Sequence, residues 1–150
     1  MAQAIIDTGC SFWYGKYGQM KLVTDEALND SDKVLTVPAG KSWQIQHVYV
    51  EYIATAAAGN RQLLLEVRDA EDDVISTIPA LNVQIANATE YYLFGVSGDV
   101  TETKAGYHFL PLGPLVWPTG YDVRVRDSAA VAAAADDMNI QMSVFEYDDN

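Results

Sequence analysis

Cysteine occurs once in the chain, at Cys10, so neither an intramolecular disulfide nor a cysteine-rich metal site can form. Histidine is almost as scarce. His47 and His108 stand far apart in sequence, without the closely spaced imidazoles that a cupin-type metal centre uses, and both read as partly buried sheet residues. Cations are few as well: 9 Lys and Arg stand against 21 Asp and Glu, a formal net charge of −12. Phosphate backbones are bound chiefly by clustered lysine and arginine, and here the cations are scattered, so nucleic acid is excluded as the expected partner. No apolar run reaches the length of a membrane span, and MAQAIIDTGC lacks the charged start and long apolar core of a secretory signal, so the expectation is a soluble protein made in the cytoplasm. Glycine-rich phosphate loops are missing too. FGVSGD superficially resembles a hydrolase nucleophile elbow, but Gly95, Ser97 and Gly98 are followed by Asp99 where that pattern needs glycine. The carboxylates Asp69, Glu71, Asp72 and Asp73 lack the ligand spacing of a calcium loop and read as a solvated turn, as do Asp136-Asp137 and Asp148-Asp149. The expectation is therefore no catalytic residues, no metal, no cofactor and no enzymatic activity.

What the 150 residues do contain is apolar and aromatic material, 49% and 11% of the chain, enough for one domain that buries roughly 70% of its unfolded surface. Residues 1–32 mix Gly, Asp, Asn and aromatics without a period of 2 or 3.6 and read as an irregular N-terminal arm. Within it Phe12, Trp13, Tyr14 and Tyr17 lie between Gly9, Gly15 and Gly18. Aromatics so concentrated must be kept from water, either by capping the domain's own core or by docking onto another chain, and these four are the candidate partner-binding residues.

From residue 33 to residue 150 the pattern is that of β-structure. Val34–Val37 forms a short strand closed by Pro38-Ala39-Gly40, where proline presets φ and glycine is free to take a positive one. A long strand follows over residues 43–55, and its apolar preference changes face along the way, which predicts a bulge or a part covered by a neighbouring subunit. QLLLEVRD places Leu63, Leu65 and Val67 inward, YDVRVRD places Tyr121, Val123 and Val125 inward, and MNIQMSVFEY buries Met138, Ile140, Met142 and Val144. VIST, residues 81–85, residues 90–96 and YHFL supply further short strands, whereas the prolines of PLGPLVWPTG argue against a central one. The alanines of residues 128–137 favour a helical turn or two inside a loop. About eight short strands divided by Gly, Pro, Asn and Asp turns predict an all-β fold, a jelly-roll-like antiparallel β-sandwich.

Three segments together carry a likeness: VPAGKSWQIQHVYVEYIATAAAGNRQLLLEVRDAEDDVI at 37–75, EYYLFGV at 90–96, and PTGYDVRVRDSAAVAAAADDMNIQMSVFEY at 118–147. They resemble a group of small virion proteins of tailed bacteriophages, in which P-A-G-K before a long strand, a G-N-R turn, R-D-A-x-D-D-V and G-Y-x-V-R-V-x-D-S-A-A recur. The resemblance covers most of residues 33–147 and implies a jelly-roll head decoration, or cement, protein. Such a protein is expected to be a homotrimer bound to the major capsid protein on the outer surface of the capsid, stabilising capsomer junctions. Pro38, Gly40, Asn60 and Arg61 would set the geometry around the long strand, and no catalytic residue is implied. Alternatives are a neck, tail or fibre component, or a carbohydrate-binding jelly roll with Trp43, Trp117 or Tyr121 as its platform.

Overall fold

The computed structural model describes residues 18–28, 32–59, 61–95, 106–113, 115–129, 131 and 135–149. They form ten strands: β1 (Gln19–Asp25), β2 (Asp32–Thr36), β3 (Lys41–Ile53), β4 (Leu63–Arg68), β5 (Val74–Pro79), β6 (Thr89–Gly95), β7 (Tyr107–Pro111), β8 (Val116–Trp117), β9 (Asp122–Asp127) and β10 (Asp137–Asp148). No described residue is helical; the described part of the alanine-rich segment is turn leading into β10, and residues 130 and 132–134 lie outside the described residues.

Two sheets face one another. One runs β1-β10-β3-β6-β7 with β8 beside β3, and the other runs β2-β9-β4-β5. Apart from β7 and β8, the strands pair as nested antiparallel partners, β1 with β10, β2 with β9, β3 with β6 and β4 with β5. That nesting is a jelly roll, as expected. β7 and β8 are additions within the connection from β6 to β9, and β7 departs from the antiparallel expectation by lying parallel to β6.

The sandwich forms because the strands alternate. β10 buries Met138, Ile140, Met142 and Val144, β4 buries Leu63, Leu65 and Val67, and β9 buries Val123 and Val125, all completely or nearly so. Each such aliphatic side chain contributes about 1.5–3 kcal/mol on leaving water. Along β3 the inward set is Trp43 and Ile45, then Val48, Val50 and Tyr52. The phase changes because Ser143 pairs with His47 while the next residue, Val144, pairs with Ile45, leaving Gln46 as an extra residue. The face switch read in the sequence is thus a β-bulge. Gly40 takes the left-handed conformation foreseen for it, φ 71°, with Lys41 donating to the Pro38 carbonyl at 3.1 Å.

Two strand assignments change. Residues 19–25, read as part of an irregular arm, form β1 and pair with β10 from Gln19↔Glu146 to Asp25↔Ile140. Being an edge strand, β1 sends only Val23 against the core and leaves Met20 and Leu22 exposed, so it has no inward apolar row to betray it. Residues 81–85, read as a strand, make only an isolated bridge, Arg61↔Gln84.

Candidate functional site

The strand registers place defined rows of side chains on the outer side of the larger sheet. One row is Thr24, Gln141, Tyr49, Leu93 and Phe109; the next is Asn139, Glu51, Tyr91 and Tyr107. Beyond them lie Leu22, Ser143 and His47, and then Met20 and Phe145. Tyr49, Leu93, Phe109 and Tyr107 are half-buried, while Met20 and Leu22 are about 60% exposed (63% and 60%). Tyr91 stacks on Tyr107 with centroids 4.7 Å apart and planes 23° apart, and on Tyr49 at 6.4 Å and 19°. A 4.7 Å separation is the spacing of adjacent strands, too close for rings lying flat side by side, so the rings stand on edge with faces toward each other. Burial, and a hydrogen bond with Tyr107, push the Tyr49 hydroxyl pKa well above its usual value. The one carboxylate in these two rows, Glu51, accepts from Asn139 at 2.6 Å. The result is an aromatic and aliphatic face with almost no charge.

The outer side of the smaller sheet is built differently. Its rows are Asp32, Arg126, Leu64 and Pro79; Val34, Arg124, Glu66 and Thr77; and Thr36, Asp122, Arg68 and Val74. Arg124 holds Asp32 at 2.5 Å, Arg126 holds Glu66 at 2.7 Å, and Arg68 holds Asp122 in two bonds of 2.8 Å. These pairs cover their carboxylates so well that Glu66 and Asp122 are almost fully buried. Hydrogen bonding to Asp32 and Asp122 pushes the Arg124 and Arg68 pKa values up against the opposing effect of burial.

A third polar group lies inside. Arg61 and Asp136 are both wholly buried and bonded Nε to Oδ2 at 2.6 Å; Arg61 also donates to the Ala57 carbonyl at 2.6 Å. Asp136 Oδ1 accepts from the Thr55 amide at 2.7 Å and its hydroxyl at 2.6 Å. The Tyr52 hydroxyl bridges to Asp127 at 3.0 Å, and Asp127 in turn accepts from the Ala129 and Val131 amides. Burial opposes ionisation of Asp136, but the bonds from Arg61 and Thr55 outweigh it and hold its carboxyl below the usual range. Saturated with partners and closed to solvent, this network ties the β3–β4 and β9–β10 connections together and offers no group for chemistry.

Of the four candidate partner-binding residues, Phe12, Trp13, Tyr14 and Tyr17 all lie outside the described residues, as does Asn60. Arg61, implied to help set the geometry around the long strand, is a buried anchor in the connection after β3. Asp136, read as solvated, is its partner. Neither position follows a hydrophobic period; the available signal was charge set against small residues in AAAGNRQ and AAAADD. His108 is part-buried as read and lies 3.1 Å from Glu90, stacked on Tyr92, whereas His47 is exposed at the bulge, 3.1 Å from Ser143 Oγ. Trp43 and Trp117 are paired across β3 and β8 and are 1% and 3% exposed, so neither can serve as a sugar platform. Tyr121 packs against the core. Among the described residues no group of three or more His, Cys, Asp and Glu side chains is placed to hold a metal ion, and no helix is long and apolar enough to cross a membrane.

No protein-family model and no curated protein matches the chain. Among solved structures it is similar to the VP2 subviral particle of infectious bursal disease virus, with 11% identity over 89% of this chain and 33% of that one and a TM-score of 0.34. It is also similar to the capsid asymmetric unit of cyanophage Pam1, with 17% identity over 89% of this chain and 88% of that one and a TM-score of 0.32. The chain thus spans about a third of the length of the bursal disease virus protein. At such scores nothing about assembly or partners passes from these proteins to this chain.

Proposed function

We propose that the protein is a structural virion component of a tailed bacteriophage: a head decoration protein that binds the major capsid protein on the outer surface of the capsid, as a homotrimer, and stabilises capsomer junctions. The observation that carries this reading is the weakly charged face of Tyr49, Leu93, Phe109, Met20 and Leu22 on a chain whose net charge is −12. A patch of exposed apolar side chains on such a chain is an interaction surface. Further support comes from the segments that resemble phage decoration proteins, since they supply β3, β4, the start of β5, most of β6, β9 and most of β10, much of the frame of the jelly roll.

Charge supports the outer side of the head. The interior is crowded with DNA phosphates, which repel an acidic chain. Attachment through three equivalent contacts gains strength from effective concentration, so each contact can be modest. The arm bearing Phe12, Trp13, Tyr14 and Tyr17 leads into Gly18, beside the Tyr147 ring, and then into β1, the edge that presents Met20 and Leu22. In this reading the four aromatics extend the same apolar surface onto the capsid protein. Imaging of purified virions tests it: the expected density for this chain sits on the head exterior, and density confined to the neck, tail or fibres overturns it.

A further inference from the structure

We infer that the edge formed by residues 74–85 is where a second copy of this chain docks. The inference rests on the self-associating part of the proposed function and adds to it the surface used. Among the described residues ten large hydrophobic side chains are exposed, and five of them fall in this one segment: Val74 at 51%, Ile75 at 54%, Leu81 at 86%, Val83 at 44% and Ile85 at 66%.

Leu81, Val83 and Ile85 are exposed together with Asn82, while Gln84, 1% exposed, is turned inward. Exposed aliphatic side chains gathered on one segment, with a polar one buried among them, mark a surface that another molecule covers. The backbone beneath it is firmly held. Ala80 donates to the Leu63 carbonyl at 2.8 Å and Gln84 to the Arg61 carbonyl at 2.6 Å, while the Gln84 side chain donates to the Tyr52 and Ala88 carbonyls at 3.2 and 2.9 Å. The aliphatic side chains are therefore displayed on a backbone that is already ordered, which lowers the cost of binding. From Val74 to Gln84 the edge runs antiparallel to Arg68–Arg61, and the seven strand steps of ~3.3 Å between those two arginines give it a length of roughly 23 Å. A standard interface of about 800 Å² per partner is roughly 28 Å across, so the edge runs along most of one.

Charge identifies the occupant. Residues 74–89 contain no Asp, Glu, Lys or Arg. The arginines in register with it, Arg68 and Arg61, are already paired with Asp122 and Asp136. A phosphate-rich or strongly charged partner finds nothing to bind there. Two copies carrying −12 each repel through most of their surfaces and can meet only where that charge is absent. Pro79 also tempers the edge. Ala80 turns its N–H toward β4, so position 79 faces outward, where proline withholds a donor and limits indefinite strand addition.

Light scattering on the full chain tests the inference. The wild type is expected to form a discrete oligomer. Leu81→Asp with Ile85→Asp is expected to weaken self-association by at least about tenfold and return the mass to the 16.5 kDa monomer, with an unchanged β-type circular dichroism spectrum. Leu81→Lys with Ile85→Lys lowers the magnitude of the net charge and must dissociate the oligomer too, which separates lost apolar contact from added repulsion. Met20→Asp with Leu22→Asp, on the other edge, is expected to leave the mass unchanged. A monomeric wild type, or an oligomer that persists in both ridge variants, overturns the inference. So does a pair of ridge variants that keeps the oligomer and loses head binding, since the ridge then contacts the head. A two-copy mass abolished by the ridge variants keeps this inference and removes the trimer from the proposed function.

Discussion

On the outer side of the four-stranded sheet, arginines sit between carboxylates of neighbouring strands; on the outer side of the larger sheet, the two central rows hold Tyr49, Leu93 and Phe109, then Tyr91 and Tyr107. Both faces belong to one jelly roll, and neither carries the excess of negative charge. Arg68, Arg124 and Arg126 nearly balance Asp32, Glu66, Asp122 and Asp72 on the first, and Glu51 is the sole carboxylate in the central rows of the second. The surplus lies at turns and strand ends such as Asp69–Asp73 and Asp148-Asp149. Charge thus marks what each face does: the ionic face pairs its charges with one another, and the aromatic face leaves apolar side chains for something else to cover.

The largest expected effect comes from moving the same ionic chemistry indoors. Arg61→Met or Asp136→Ala leaves the other partner charged and wholly buried, and chemical denaturation is expected to show a loss of roughly 3–5 kcal/mol. Arg124→Ala on the ionic face removes a half-exposed partner of Asp32 and is expected to cost no more than about 1 kcal/mol. Equal losses from the two substitutions would erase the distinction between network and lattice.

Next is the aromatic face. Tyr91→Ala removes the centre of the ladder and is expected to cost about 0.5–1.5 kcal/mol beyond the area it exposes. Leu93→Ser with Met20→Ser is expected to leave the fold intact and to reduce head occupancy by about tenfold in a binding assay on stripped capsids. Removal of residues 2–17 is expected to weaken attachment in the same assay. The cut must stop there because residues 19–25 are a strand of this sheet. Undiminished occupancy by the truncated protein contradicts a docking role for Phe12, Trp13, Tyr14 and Tyr17.

These contrasts were unequally legible in the sequence. Wherever a strand has one face on the core and one outside, as in β4, β9 and β10, alternation named the inward residues correctly, and the face change in β3 announced its bulge. Alternation failed where burial is decided by something other than the core. β1 is exposed along most of both sides, so its row of Met20 and Leu22 marks a surface rather than an interior. Residues 81–85 alternate for the same reason, which is why they read as a strand. Arg61 and Asp136 lie in loops, where no period operates, and their pairing across 75 residues is visible only once the sandwich brings the β3–β4 and β9–β10 connections to the same end.

Acid separates the regions by a smaller margin. Glu146 is opposed by burial, yet bonds from the Trp43 indole at 2.8 Å and Lys21 at 3.0 Å hold its carboxyl below the usual range, as Arg61 and Thr55 do for Asp136. A carboxyl whose folded-state pKa is depressed contributes stability that is complete above its unfolded value, about 4, and lost as pH falls through the folded one. Thermal melts are therefore expected to be flat from about pH 5 to 7 and to fall below about pH 4. Glu146→Gln should flatten part of that fall, and a slope unchanged in this variant removes Glu146 from the account.

Salt gives the smallest effect and a change of sign. At 1 M ionic strength the screening length shrinks to about 3 Å, so the exposed pairs of Arg124 with Asp32 and Lys21 with Glu146 weaken, and monomer stability is expected to fall by less than about 1 kcal/mol. Contact between copies through residues 74–85 responds in the opposite direction, because the same salt screens the repulsion between two chains of −12 while leaving aliphatic burial intact. A titration that follows unfolding and mass together should therefore show stability slipping as association tightens. If association weakened with salt instead, its attraction would be ionic, and the copies would be meeting on the arginine-bearing face rather than along the uncharged edge.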